Sequence, residues 1–123
     1  MTPARHRAKA ERIERSLARL APSDHEIRIE AAMPAATHWL NALLHASGVS
    51  APDQDVLHTY MLTVNDLRRY RLVGDGVIDA LSEIEDLRPA WVRGNVAGGE
   101  RAADRAFALL GTVRRAALAH PGV

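Results

Sequence analysis

Six histidines stand among 123 residues that contain no cysteine, so any metal chemistry must use imidazole and carboxylate ligands. His38 and His45 lie seven residues apart, two helical turns, and so share one face of a helix. His58 opens the next segment. A bundle folding these stretches together brings three imidazoles towards one point, the composition of a His-based metal site. Neither His-x-x-x-His nor Glu-x-x-His occurs, so no single helix supplies a ready-made pair. The competing expectation is a packing role. His38 and His45 stand beside Ala31, Ala35 and Ala42, small residues that permit close helix approach, including that of a second copy of the chain.

Other polar groups suggest weaker chemistry. Asp79, Glu83, Glu85 and Asp86 cluster, and acid–base work would need one of them buried beside a partner. They alternate with Leu81, Ile84 and Leu87, which define the buried face, so the carboxylates are expected in water. Arg68, Arg69 and Arg71 surround Tyr70 near the end of a helix, where cations complement its dipole. The same group offers phosphate contacts, with Tyr70 available to stack on a base. Gly74-Asp75-Gly76 lacks the lysine and spacing of a phosphate loop, and no serine stands in a nucleophile elbow.

The elements that would position these residues are helical. Twenty-two alanines and fifteen arginines, with Lys9 the lone lysine, favour helix throughout. Ala10, Ile13, Leu17 and Leu20 form the stripe of a first helix from about Ala4 to Leu20. Ser23 and Glu26 read as a capping box for a second, striped by Ile29, Met33, Ala36, Leu40 and Leu43. Pro34 predicts a kink or break there, and Gly48 a cap at its end. A third helix follows the Ser50-to-Asp53 turn, with Asp53 and Asp55 set against its dipole. It carries Val56, Leu57, Tyr60, Met61, Val64 and Leu67 to about Val73. Asp75 would cap a fourth, built on Val77, Ile78, Leu81, Ile84 and Leu87 and stopped or bent by Pro89. A connector from Ala90 to Gly99 leads to a fifth helix with Ala103, Phe107, Leu110 and Val113. The expected fold is all-α: one domain, residues 1–123, an up-and-down antiparallel bundle of four to five helices.

A net charge of +1 excludes a bulk polycation, yet the charge is segregated. Arginines concentrate in the first helix, at 68–71 and after residue 88, which keeps a local polyanion contact open. No apolar run is long enough for a membrane span and no signal-peptide core opens the chain, so a cytoplasmic domain is expected.

The words Ala35-Ala-Thr-His-Trp-Leu-Asn-Ala-Leu-Leu-His-Ala-Ser-Gly48, then His58-Thr-Tyr60, then Leu87-Arg-Pro-Ala-Trp-Val-Arg-Gly94 before an alanine-rich last helix resemble the HEPN superfamily over residues 23–119. The resemblance implies a small bacterial helical bundle that tends to homodimerise, a protein partner encoded nearby, and no cofactor. Members that cleave RNA carry Arg and, after a short gap, His. The Arg stabilises phosphate charge while the pair promotes attack by the 2′-hydroxyl. Here Arg88 is the positional candidate, but Arg93, Gly94 and Asn95 stand where the His belongs. Arg115 and His120 satisfy the spacing only at the end of the last helix. The resemblance therefore implies a non-catalytic interaction or regulatory module. Its alternatives are a metal-independent RNase using Arg115 and His120, and a metal-binding bundle using His38, His45 and His58. Arg88 and Arg93 join Arg68, Arg69, Tyr70 and Arg71 as possible anion or RNA contacts.

Overall fold

A computed structural model describes residues 1–74 and 76–123, which form five α-helices and no strand among them. They are α1 (Pro3–Leu17), α2 (His25–Ala46), α3 (Val64–Tyr70), α4 (Val77–Arg88) and α5 (Gly99–Ala119). The all-α bundle is thus realised. α2 is its central member, packed on α1, α4 and α5.

The apolar stripe of α2 sits in the core as its spacing predicts: Ile29, Met33, Ala36, Leu40 and Leu43 are all buried. Val77, Ile78, Leu81 and Ile84 of α4 and Ala103, Leu110 and Val113 of α5 meet it there. Pro34 does not break α2, which runs through it unbroken. Ala32, Met33, Ala35 and Ala36 around the proline are buried, and this packing outweighs one missing hydrogen bond. Helix α2 ends where glycine was expected to end it, at Gly48 with φ +74°. Its start differs, because the N-cap is Asp24, whose carboxylate accepts from the Ala21 amide, and not Ser23. Asp75, the expected cap of α4, lies outside the described residues.

Two further corrections matter for function. Of the candidate dimer face, Ala35 and Ala42 are fully buried within the chain and serve internal packing, while Ala31 is half-buried against the core. Residues 56–63 are not α-helical either, holding only a single 3-10 turn over Thr59–Met61. Asn41 takes both backbone groups of Val56, its Oδ1 accepting from the amide at 2.7 Å and its Nδ2 donating to the carbonyl at 2.8 Å. The Thr59 amide donates to Glu85 at 2.9 Å. With those groups committed to side chains a continuous α-helical ladder cannot form, and α3 begins only at the Thr63–Asp66 capping box. Leu57, Tyr60, Met61 and Val64, expected on a buried stripe, are exposed. At the far end of α4, Pro89 lacks the amide needed to continue the α ladder. The chain passes into a π turn over Pro89–Arg93, closed by the Gly94 amide on the Pro89 carbonyl at 2.9 Å.

Candidate metal centre

Three elements converge on one carboxylate. Helix α1 supplies His6, α2 supplies His38 and His45, and the 50–58 segment supplies Asp55. The ring Nε2 atoms of His6 and His45 lie 3.1 and 2.9 Å from the same oxygen, Asp55 Oδ1. His6 is completely buried and His45 nearly so, whereas Asp55 is partly open to solvent. Ligand atoms of His6, His45 and Asp55 all fall within 4.8 Å of one another.

Elementary hydrogen-bond chemistry fixes the protons of the metal-free site. A carboxylate only accepts, so both Nε2 atoms carry hydrogen and both Nδ1 atoms are lone pairs when the rings are neutral. The His6 Nδ1 lone pair then accepts from His38 Nδ1 at 2.8 Å. That of His45 accepts from the Ser50 hydroxyl at 2.8 Å. Burial, opposed by the hydrogen bond to Asp55, lowers the pKa of His6. Burial, followed by the charge on neighbouring His6 and Lys9, pushes His38 down to about 4. Partial burial pulls the Asp55 carboxyl upward. The hydrogen bonds from His45 and His6, with nearby positive charge, outweigh it and hold the group below the ordinary carboxylate range.

The donor set fits a divalent transition metal. Bonds of 2.0–2.1 Å to a tetrahedral ion place neighbouring ligand atoms about 3.3 Å apart. The observed His–Asp separations fall short of this by only a few tenths of an ångström. Ligating imidazoles also need the other ring nitrogen held by an outer partner. Both have one: His38 behind His6, and the Ser50 hydroxyl and carbonyl behind His45, the carbonyl at 3.3 Å. When Nε2 gives up its proton to a metal, Nδ1 carries hydrogen and these same neighbours become its acceptors. Three protein ligands leave one tetrahedral position for an external donor.

Of the sequence candidates, His38 and His45 are therefore brought together, and His58 is not. His58 turns to the buried Glu85 of α4, Nδ1 to Oε1 being 3.7 Å, and stacks on Tyr60. Glu85 is thereby an exception to the solvated face expected of its helix, while Asp79 and Asp86 are exposed. His6 and Asp55 are the members that sequence reasoning missed. His6 extends the Ala10–Ile13–Leu17 stripe one turn towards the start of α1, so a polar residue occupies a core position. Asp55, read as a dipole partner, instead stands beside buried Val56.

The remaining candidates are dispersed. Tyr70 is buried beneath the Arg69 guanidinium, 5.1 Å from the ring centre, and has no free face for a base. Arg69 pairs with Asp66, Arg71 with Asp79, and Arg88 with Glu30 through two hydrogen bonds; Arg68 and Arg93 are exposed. Arg115 donates to Thr112, while His120 lies past the end of α5 and accepts from the Gly122 amide. No hydrogen bond joins Arg115 to His120 among the described residues. No helix among these residues is long and apolar enough to cross a membrane. No protein-family model, curated protein or solved structure matches the chain.

Proposed function

We propose that this helical bundle binds a divalent transition-metal ion of the zinc class through His6, His45 and Asp55. One observation carries the reading. Two buried imidazoles direct Nε2 at one carboxylate oxygen, and each has its second nitrogen held from behind. Polar groups drawn from three chain segments into a largely buried cluster reduce stability unless every partner is satisfied. Hydrogen bonds satisfy them in the metal-free site, and a metal ion would take the place of the two Nε2 protons. Of His38, His45 and His58 only His45 remains a ligand; His6 and Asp55 replace the other two, and His38 stands behind His6.

The experiment is a zinc titration of protein first stripped with a chelator, followed by calorimetry. The expected result is one equivalent bound, with affinity reduced at least about a hundredfold in His45→Ala, a lost direct ligand. Absence of binding in the wild-type protein, or equal binding in His45→Ala, would overturn the proposal.

A second reading keeps the HEPN-like interaction module, and a different feature favours it. Leu57, Tyr60, Met61, Val64 and Leu72 are all more than half exposed within one short stretch. Large apolar side chains gathered on a surface are characteristic of protein contacts. Sedimentation equilibrium tests the homodimer this reading expects, and a monomer unchanged by Tyr60→Asp or Met61→Asp would count against it. The two readings are compatible, since none of these apolar residues is a metal ligand, although Leu57 and Met61 border the same cavities as Asp55.

A further inference from the structure

Between α2 and α3, the stretch from Ala51 to Thr63 contains no α-helix. Val56 and Thr59 are its only buried residues, and most of the others are exposed. Little apolar packing holds such a segment, and segments of this kind open locally before the rest of a domain unfolds.

Side chains of the helices hold it at three points. His6 and His45 hold Asp55, and Asn41 takes both backbone groups of Val56. Glu85 accepts from the amide and the hydroxyl of Thr59. The Val56 and Thr59 anchors are hydrogen-bonded sets satisfied within the protein. The Asp55 anchor differs, because two hydrogen bonds converge on one oxygen where a metal ion would substitute coordinate bonds to all three groups. It is the one anchor of the three whose strength an external ligand can set.

Position along the chain carries that strength outward. The amide donating to Asn41 belongs to the peptide unit that links Asp55 to Val56, and this unit is rigid and planar. Fixing Asp55 therefore hinders that amide from leaving Asn41. Leu57, Tyr60 and Met61, all exposed, follow along the same segment, so their place on the surface depends on the same anchors.

We infer that the metal acts as a clasp: its binding suppresses local opening of residues 51–63 and so fixes the exposed side chains of Leu57, Tyr60 and Met61 on the bundle. Metal occupancy is then the control on that apolar surface. This rests on the metal-centre reading, and the test separates the two. An ion that binds only while Asp55 is seated beside His6 and His45 divides the opening constant by 1 + [L]/Kd. The factor is about a hundredfold at free zinc of about 100 Kd.

Amide hydrogen exchange reads the opening, and calorimetry on the same samples reads zinc uptake. In the metal-free protein the Val56 amide should exchange faster than those of Leu40 and Leu43 in the core of α2, since local opening releases it. Free zinc at about 100 Kd should slow Val56 by about a hundredfold, or to the rate of the α2 core if that limit is reached first. Asp55→Ala, at an exposed position, should abolish the response. Zinc taken up with Val56 exchange unchanged would overturn the clasp and leave the metal centre standing. So would metal-free exchange at Val56 already as slow as at Leu40 and Leu43, because the segment would then open only with the whole molecule. A response undiminished in Asp55→Ala, or no zinc uptake at all, would overturn both. Should the variant not fold, the two wild-type measurements decide the matter.

Discussion

Helix α2 presents two faces that solve different problems. One carries Ile29, Ala36, Leu40 and Leu43, buried and wholly apolar. The other carries Thr37, His38, Asn41 and His45, polar side chains that are buried or half-buried yet engaged in hydrogen bonds. The first face needs only volume and shape, and many apolar combinations would serve it. The second requires particular atoms at particular places, because each unmatched donor or acceptor would destabilise the fold by about 1–3 kcal/mol. Apolar residues would build that face more simply. That polar content is the observation on which the proposed metal site rests.

Substitutions can set the two faces against each other. Leu40→Ala, at a site 1% exposed, should lose about 2–5 kcal/mol in chemical denaturation and leave zinc affinity close to wild type. A large loss of affinity would mean that the apolar face also shapes the site. Asn41→Ala should lose less stability, about 1–3 kcal/mol, since it frees both backbone groups of Val56. It should also weaken zinc binding by roughly ten- to a hundredfold, because Asn41 anchors the segment that presents Asp55. Calorimetry on both variants yields the ratio of the two effects, which should invert between the faces. Arg69→Ala, an exposed pair with Asp66, should change stability by no more than about 0.5 kcal/mol and leave zinc binding intact. Loss of metal there would join the arginine cluster to the centre.

The apolar face was legible in the sequence and the polar one only in part. A period of 3.6 residues marks where a helix is buried, and it located the cores of α2, α4 and α5. The same period misread residues 56–63, whose apolar spacing resembles a helix. Whether an amide bonds along its own chain or to Asn41 and Glu85 is a tertiary matter that spacing does not encode. His38 and His45 could be placed on one face of α2 because seven residues is a local distance. His6 and Asp55 come from other segments, and only the docking of α1 and of the 50–58 loop on α2 brings them in. The polar residue at the top of the Ala10–Ile13–Leu17 stripe was the one local sign of it.

X-ray absorption on the zinc-loaded protein tests the central claim most directly. The account predicts a first shell of nitrogen and oxygen at about 2.0 Å containing two imidazoles, with the outer-shell scattering that histidine rings produce. A shell of oxygen alone, without imidazole scattering, would contradict it.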